Sequence, residues 1–362
     1  MSKKRIAVIG LKGLPSYGGA ARVGEGVIEQ LKDEFDFTVY ATSSHAQKEG
    51  DIGGYQQIVF KKLSQAKLNV FYYYLISGLH ALFFGKYDLV HLHHVDGAFI
   101  IPLLRLRYKV IGTSHGRPQE RDKWMSIAWY FKTVEQIFLR MCNTATSVAK
   151  PLADTYSTMV KRPILYIPNG IHLKDKVDDK VIEQKDYLMF SAGRIMATKG
   201  CHTFLEALHK LKYKGKILIV GDLDQIPEYA ALIRNLAGGL NVDFIPLIKE
   251  KPVLLNYVKN AKLFIFPSTI EAMSIMMLEV ATMKTPLICS DIVENKAVFS
   301  QAETLFFETE NSDDLAEKIK FALDKPEEMQ KLTNSAYDKL CSSYSWSSVA
   351  KDYAKQFNLL MS

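Results

Sequence analysis

Short apolar runs rich in β-branched residues alternate with helix-like segments along this chain, and this alternation limits its possible folds more than any other feature. In the N-terminal half the runs lie at residues 5–10, 37–42, 57–60, 88–93, 109–114, 145–149 and 164–168. Helix-like segments such as 21–35 and 125–143 separate them. Several runs are continuously apolar, as parallel strands covered on both faces are. The pattern predicts a doubly wound, parallel α/β sheet.

The alternation is interrupted once, at residues 172–186, where charged residues dominate and the segment is interpreted as a linker. A second series of apolar runs follows at residues 187–193, 216–221, 242–246, 263–268, 286–290 and 304–307. A length of 362 residues suits two domains. We therefore predict two Rossmann-like domains, 1–170 and 171–343, with a terminal helix at 344–362 that returns to pack on the N-terminal domain. Ligands of such sheets bind at the carboxyl ends of the strands, so we expect a cleft between the two sheets.

Composition excludes several classes of protein. Apolar residues make up 48% of the chain and charged residues 23%, which is ordinary for a globular protein and unlike collagen, coiled coils or disordered chains. The four cysteines never form C-x-x-C, which argues against a disulfide framework and favours a reducing compartment. The first apolar run is cut by Lys12 and Pro15, so it predicts a strand rather than a signal peptide. The uncharged stretch 69–85 is shorter than the roughly 20 residues of a spanning helix, and no such helix is expected.

Positive charge is concentrated in the N-terminal half. Residues 1–170 hold 22 Lys and Arg against 13 Asp and Glu, whereas the remainder holds 24 against 26. This bias indicates an acidic partner (nucleic acid, anionic lipid or a phosphorylated substrate) or a solvated surface. The aromatic residues at 72–74 and 83–84 are expected to be mostly core, the alternative being an interfacial helix flanked by Lys61, Lys62 and Lys67.

A glycine-rich loop follows the first predicted strand and contains Gly10, Gly13, Gly18 and Gly19. Such a loop before a helix can approach a phosphate closely and direct free N–H groups at it. The dinucleotide fingerprint requires G-x-G-x-x-G and an acid after the second strand, and neither is present, so a nicotinamide enzyme is disfavoured. The alternative is that these glycines serve only a tight turn.

In the C-terminal half, charged residues follow the predicted strands. Arg194 ends one strand and Lys199 precedes the next helix, a pair of cations suited to a diphosphate. Glu271 follows a buried strand, and Glu279 lies among Ile, Met, Leu and Val, where a carboxylate needs a partner. Sugar hydroxyls would serve both; the alternative for Glu279 is an exposed helical residue paired with Lys284.

Two patterns resemble metal sites. Asp222 and Asp224 spell D-x-D, but they lead into a predicted helix, so we interpret them as capping residues. His91, His93 and His94 lack a carboxylate or thiolate at ligand spacing, which favours hydrogen-bonding histidines at a sheet end. No metal and no cofactor is predicted.

Taken in order, the motifs resemble retaining glycosyltransferases of family 4, which have the GT-B fold. The resemblance rests on the Gly18-Gly19 loop, Asp88-Leu-Val-His91-Leu-His93, His115-Gly116, Ile167-Pro-Asn169-Gly170, Arg194 with Lys199, the spacing of Glu271 and Glu279, and the Trp346 helix. It covers nearly the whole chain. The N-terminal Gly-Leu-Pro start and the Arg121-x-Lys123-Trp124 segment further resemble bacterial polysaccharide enzymes, including rhamnosyltransferase-like members.

The resemblance implies a role for each matching residue. Arg194 and Lys199 would hold the donor diphosphate, Glu271 the donor sugar near the reacting carbon, and Glu279 the ribose. Gly18 and Gly19 would offer backbone to the diphosphate, and His115 would lie beside the donor sugar. Further donor contacts would come from Ile248, Met273, Ser274 and Ile275. The chain has Ala272, Met273 and Ser274 where the family often has Gly-Phe-Gly, which implies a reshaped sugar pocket.

The function implied is retaining transfer of a sugar from a nucleotide-diphosphate donor to an acceptor hydroxyl. A glycan linked to polyprenyl diphosphate, at the cytoplasmic face of an anionic membrane, would suit the basic, aromatic-rich N-terminal half. The alternatives are a non-catalytic sugar-nucleotide-binding module and a nicotinamide oxidoreductase. A nucleic-acid binder is not expected, because no basic motif interleaved with aromatic residues is present.

Overall fold

A computed structural model describes residues 3–15, 19–46, 48–63, 68–116, 128–173, 177 and 186–362. The chain divides into two compact units. The N-terminal unit comprises Met1–Gly170 and Trp346–Ser362, and the C-terminal unit comprises Ile171–Ser345. Most of the expected linker at 172–186 lies outside the described residues.

The sheet of the N-terminal unit has eight strands in the order β3-β4-β2-β1-β5-β6-β7-β8. Their bounds are β1 (Lys4–Lys12), β2 (Phe35–Thr42), β3 (Gly50–Asp51), β4 (Gln56–Phe60), β5 (Leu89–His93), β6 (Lys109–Ser114), β7 (Thr144–Ser147) and β8 (Leu165–Tyr166). Neighbours pair in parallel, except that β3 joins β4 antiparallel. The seven predicted runs are all strands. The two-residue β3 was not predicted, because it is too short to show a pattern.

In the described part of this unit, five α-helices connect the strands, and each follows a strand as the doubly wound fold requires. Their bounds are α1 (Gly19–Leu31), α2 (Asn69–Phe84), α3 (Ile101–Leu104), α4 (Ala128–Met141) and α5 (Lys150–Val160). The central strand β1 is buried on both faces, since Ile6, Ala7, Val8 and Ile9 are at most 1% exposed. That burial explains why its sequence is a continuous apolar run.

The C-terminal unit repeats this architecture with six parallel strands in the order β11-β10-β9-β12-β13-β14. The strands are β9 (Tyr187–Arg194), β10 (Lys216–Asp222), β11 (Asn241–Ile245), β12 (Ala261–Phe266), β13 (Leu287–Ser290) and β14 (Leu305–Phe307). The helices are α6 (Cys201–Lys210), α7 (Pro227–Leu236), α8 (Lys251–Asn260), α9 (Ile275–Thr282), α10 (Val293–Val298), α11 (Ser312–Asp324) and α12 (Pro326–Lys339). The predicted α/β class is confirmed in both units.

The last helix, α13 (Trp346–Met361), packs on the sheet of the N-terminal unit. Phe357 is fully buried, and its ring lies edge-on to Phe35 at 5.7 Å between centroids. The indole of Trp346 is 5% exposed and fits beside two glycines. A Cβ at Gly26 of α1 or at Gly170 would lie 2.3 Å from its ring atoms. The return of the terminal helix to the N-terminal unit is thereby confirmed.

The aromatic cluster of α2 is only partly core. Tyr73 and Tyr74 are buried, as expected, but Phe83 and Phe84 are 67% and 77% exposed. For these two residues the expectation of burial is wrong, because they lie at the C-terminal end of α2, beyond the face that packs on the sheet. All four cysteines are free. Within the described segments, none of the helices combines the length and apolar character needed to cross a membrane.

We predict that Gly26→Ala lowers the melting temperature. Alanine is the better helix former by about 0.5–1 kcal/mol. The added methyl group would, however, meet the Trp346 ring at 2.3 Å, and overpacking costs about 1–3 kcal/mol. The matched control is Gly78→Ala in α2, where the new Cβ would lie 3.4 Å from Ile100 in an ordinary contact. Calorimetry in which Gly26→Ala melts at or above the wild-type temperature would contradict this packing.

Candidate functional site

The carboxyl ends of β9 and β12 bring two loops of the C-terminal unit together. The two strands are neighbours in the sheet, and open parallel sheets bind ligands at this edge. The backbone N–H of Thr269, after β12, donates to the carbonyl of Thr198, after β9, at 2.9 Å. Gly200 has a φ of +69°, and a Cβ there would lie 2.1 Å from the carbonyl oxygen of Pro267. Any other residue at this position would therefore push the loops apart.

Lys199 and Glu271 form an ion pair across these loops. The Lys199 Nζ donates to Glu271 Oε1 at 2.6 Å. The side chain of Lys199 is 27% exposed and that of Glu271 is 12% exposed, so both are in contact with solvent. One of the three ammonium donors is used here, which leaves others for a phosphate oxygen. The structure thus joins two predicted site residues that are 72 positions apart in sequence.

Arg194 is the last residue of β9, and its side chain is exposed. Its backbone is held in place because the next residue, Ile195, donates its N–H to the carbonyl of Asp222 at 2.8 Å. Among residues 186–362, the guanidinium forms no hydrogen bond or ion pair. Arg194 therefore presents a permanent positive charge, with its planar donors available, at the same sheet edge as Lys199.

The expectation that Asp222 and Asp224 cap a helix is wrong. Ile226 precedes α7, and that helix end has no side-chain cap. The carboxylate of Asp222 accepts a hydrogen bond from Gln225 at 2.6 Å. Asp224 forms an ion pair with Arg234 at 2.6 Å. Two residues, Gln225 and Ile226, separate Asp224 from the start of the helix, and its carboxylate pairs instead with a side chain in the last turn of that helix.

Glu279 is buried in α9, with its side chain 3% exposed, so the alternative of an exposed helical residue is wrong. Its Oε1 lies 3.2 Å from the Nζ of Lys251, the first residue of α8. The suggested partner Lys284 instead places its Nζ over the Tyr337 ring, 4.4 Å from the centroid. Lys251 was not among the site residues predicted from the sequence. It comes just after the strand β11, and the carboxyl-end rule applied there would have found it.

The remaining predicted donor contacts of this unit lie near the start of α9 and after β11. Ser274 precedes α9 in an extended conformation, and its side chain makes no capping hydrogen bond. The first N–H groups of a helix have no intrahelical partner, so those at Ile275 and beyond are donors at this end. Met273 is buried, whereas Ile275 and Ile248 are half-buried. Their donor-binding roles stay predictions.

In the N-terminal unit, Gly10 lies near the end of β1, where that strand passes close to the end of β5. Gly10 has a φ of +114°, and a Cβ there would lie 2.1 Å from the carbonyl oxygen of His93. This close approach requires glycine, so Gly10 serves the backbone geometry of the strand end. Gly19 is the first residue of α1. Gly18 lies outside the described residues, as do Arg121, Lys123 and Trp124.

His115 belongs to a cluster of histidines at the ends of β5 and β6. The Nε2 of His115 shares a hydrogen bond with the Nδ1 of His93 at 2.9 Å, and the rings stack with centroids 5.2 Å apart. His91 bonds Thr113 through Nε2 at 2.8 Å. For His91 and His93, the prediction of hydrogen-bonding histidines is confirmed. Among the described residues, no group of three His, Cys, Asp or Glu could hold a metal ion.

Burial keeps this cluster neutral. It lowers the pKa of His91 to about 3. Burial and the neighbouring rings also lower the pKa values of His93 and His115 well below their usual range. In the hydrogen bond between His93 and His115, one ring nitrogen must accept and therefore carries no hydrogen. This hydrogen bond cannot form if both rings are charged. At neutral pH, His115 is therefore a neutral imidazole that can donate or accept but does not supply a fixed charge.

Two family models match the chain in succession. Glycosyltransferase Family 4 matches residues 17–175, and Glycosyl transferases group 1 matches residues 174–339. An N,N'-diacetylbacillosaminyl-diphospho-undecaprenol alpha-1,3-N-acetylgalactosaminyltransferase from Campylobacter jejuni is 27% identical over 179 residues, which is 49% of this chain and 46% of that protein. The chain spans about half the length of the curated relatives it matches.

Solved structures resemble the whole chain. Sucrose-phosphate synthase from Thermosynechococcus elongatus has a TM-score of 0.82 at 18% identity and covers 99% of both chains. Anabaena Alr3699/HepE in complex with UDP-glucose has a TM-score of 0.79 at 13% identity, over 98% of this chain and 100% of that one. At these identities the likeness shows the fold, and it confirms the predicted GT-B class.

We predict that acidification destabilises the protein through the histidine cluster. Because the folded-state pKa values lie below the unfolded value of about 6.5, the unfolded chain binds more protons below that pH. The free energy of unfolding keeps its full value above about pH 6.5. As the pH is lowered below that value, it falls by up to ~1.4 kcal/mol per pH unit for each such histidine. Melting temperatures from pH 7 to 5 should show the slope reduced in His91→Gln and unchanged in His209→Gln, which alters an exposed histidine. An unchanged slope in His91→Gln would refute the assignment.

Proposed function

Because the chain belongs to glycosyltransferase family 4, we propose that it transfers a sugar from a nucleotide-diphosphate donor to an acceptor hydroxyl with retention of anomeric configuration. One observation carries the proposal. The Lys199–Glu271 pair and the exposed Arg194 lie at the carboxyl edge of one parallel sheet. A hydroxyl-binding carboxylate next to two phosphate-binding cations is the donor set that a nucleotide sugar needs.

Charge at the leaving group is the chemical problem that these cations address. As the bond between the sugar carbon and the phosphate oxygen breaks, negative charge grows on the departing diphosphate. Arg194 can bind it in a bidentate manner, and Lys199 carries spare ammonium donors. The N–H groups at the start of α9 and the backbone at Gly19 add dipoles of the same sign. Fixed donors at a developing charge give the largest single contribution in many enzymes.

Attack is proposed to occur on the face that the leaving group departs from. The acceptor oxygen bonds the sugar carbon, the phosphate oxygen leaves, and the acceptor proton passes to that oxygen. Glu271 then orients the sugar hydroxyls and holds Lys199, without forming a covalent bond. Glu279 accepts a hydrogen bond from the ribose, and Lys251 pairs with that buried carboxylate at 3.2 Å. His115 donates to or accepts from the sugar as a neutral imidazole, and neither a metal nor a cofactor is required.

The acceptor is proposed to be a lipid-linked glycan of bacterial surface polysaccharide synthesis, reached at the cytoplasmic face of the membrane. The name of the Campylobacter jejuni relative describes a diphospho-undecaprenol acceptor. The excess of Lys and Arg in residues 1–170 suits such an anionic carrier. A uridine nucleotide donor is the first to test, because the HepE structure contains UDP-glucose.

A panel of nucleotide sugars distinguishes this function from the alternatives. A bound donor should raise the melting temperature, by an amount that grows with its concentration above the dissociation constant. Release of nucleoside diphosphate on adding acceptor then separates an enzyme from a binding module, which would bind the donor and release nothing. A shift with NADH instead of nucleotide sugars would favour an oxidoreductase.

We predict that Arg194→Ala and Lys199→Ala each lower turnover by about 10²–10³, the usual effect of removing one donor to a developing charge. The matched controls are Arg234→Ala and Lys320→Ala, which remove surface cations paired with Asp224 and Asp324 in the same unit. Both controls should retain near-normal turnover, and all four variants should keep the circular dichroism of the folded protein. Near-normal activity in both site variants would overturn the assignment.

We also predict that Glu271 forms no glycosyl adduct. Mass spectrometry of the intact protein during turnover of a slow, fluorinated donor should find only the unmodified mass. Glu271→Gln removes the partner of Lys199 while keeping its volume, and it should lower turnover because the ammonium loses its fixed position. Detection of a sugar ester on Glu271 would replace front-face attack by a double displacement.

A further inference from the structure

Helix α2 is attached to the sheet by one face only. That face consists of Tyr73, Tyr74, Ser77, Gly78 and Ala81, all buried. The Tyr73 hydroxyl accepts from the N–H of Gly10 and donates to the carbonyl of Tyr40, both at 2.8 Å. The Tyr74 hydroxyl donates to the carbonyl of His93 at 3.0 Å. These bonds fix the rotation of the helix, so the opposite face must point away from the sheet.

The opposite face of α2 has no charged residue. Positions 72, 75, 79 and 83 follow one another at helical spacing and are Tyr, Leu, Leu and Phe. They are half-buried or exposed. Surface helices normally carry charged and polar residues on the side opposite the core, and a helix that is apolar on every side is normally buried on every side. An apolar outward face such as that of α2 is therefore unusual on a surface in contact with water.

The apolar surface extends beyond the helix at both ends. Near its start, the exposed ring of Phe71 stacks on the exposed ring of Phe99 at 4.7 Å between centroids. Near its end, Arg107 donates to the carbonyl of Leu82 at 2.6 Å, which brings the 77% exposed Leu106 to that end. We call the outward face of α2 (Tyr72, Leu75, Leu79 and Phe83) together with the exposed apolar side chains at its two ends the α2 surface. Its exposed members, each at least 37% exposed, are Leu68, Val70, Phe71, Phe83, Phe84, Phe99 and Leu106.

Exposed cations flank the α2 surface. Residues 61–109 contain seven Lys and Arg against two acids, Asp88 and Asp96. Asp88 is engaged by Lys4 and by the N–H of Arg5. Lys61 and Lys62 precede the helix and Lys86 follows it, while Arg105 and Arg107 enclose Leu106, and all five are exposed. Aromatic and aliphatic side chains ringed by cations match the interface of an anionic bilayer, where rings enter the headgroup region and cations meet phosphates.

We propose that the α2 surface docks on an anionic lipid bilayer. A second copy of this chain is the poorer occupant, because pairing two such surfaces would bring both sets of cations together. The inference rests on the lipid-linked acceptor of the proposed function and identifies the part of the molecule that meets its membrane. Binding to lipid needs neither donor nor catalysis, so it is measured separately from sugar transfer.

The test is co-flotation of the full chain with vesicles of phosphatidylcholine alone or with phosphatidylglycerol added. We expect flotation only with the anionic vesicles, and loss of binding at high salt. The double variant Phe83→Ser/Phe84→Ser should weaken binding at least tenfold. Its matched control, Leu232→Ser/Leu359→Ser, removes two exposed leucines on α7 and α13 and should bind as the wild type does.

A second pair of variants tests the cations. Lys86→Glu/Arg105→Glu should abolish flotation, whereas Lys351→Glu/Lys355→Glu, with the same change of net charge on α13, should leave it intact. Equal binding to neutral and anionic vesicles, equal loss in test and control variants, or no binding at all would overturn the proposal. So would a dimer that Phe83→Ser/Phe84→Ser dissociates in the absence of lipid.

Release of nucleoside diphosphate to a water-soluble acceptor analogue separates this proposal from the proposed function. Variants of the α2 surface should turn over that analogue at the wild-type rate while losing activity on acceptor in vesicles. Lipid binding without any sugar transfer would support docking of the α2 surface and refute the proposed transferase. Sugar transfer without lipid binding would support the transferase and refute docking of the α2 surface.

Discussion

Two glycines, Gly10 in the N-terminal unit and Gly200 in the C-terminal unit, permit the close backbone contacts next to which the predicted site residues of each unit lie. At each of them a carbonyl oxygen from a neighbouring part of the sheet lies 2.1 Å from where a Cβ would be. In the C-terminal unit the contact of Gly200 with Pro267 lies directly after Lys199, which pairs with Glu271. In the N-terminal unit the contact joins Gly10 of β1 to His93 at the end of β5, a member of the histidine cluster.

The two units stabilise their buried and half-buried ionisable side chains in different ways. In the C-terminal unit, the half-buried Glu271 is paired with Lys199 and the buried Glu279 with Lys251. Arg194 adds one positive charge to these two pairs, which would suit the proposed diphosphate. In the N-terminal unit, burial removes the charge of the histidines instead, and hydrogen bonds between neutral rings take its place.

Helix α2 connects the candidate site of the N-terminal unit to its outer surface. Its inner face bonds the backbone at Gly10 and His93, which are the residues that form the close contact. Its outer face forms part of the apolar α2 surface. A bilayer held there would lie one helix diameter, about 10–12 Å, from the end of β5. That spacing suits an acceptor whose lipid stays in the membrane while its sugar reaches a protein site.

The sequence alone determined the strands, the parallel α/β class and the family, because buried parallel strands are continuous apolar runs and the motifs keep their order. It also indicated that Lys199 and Glu271 follow strands of one sheet. Only the tertiary structure decided that Glu279 pairs with Lys251, that Asp224 pairs with Arg234, and that Phe83 and Phe84 are exposed. Helical spacing predicts partners within one turn, whereas these partners come from other elements. The exposure of the two phenylalanines depends on where α2 ends relative to the sheet, because both lie in its last turn, beyond the face that packs on the sheet.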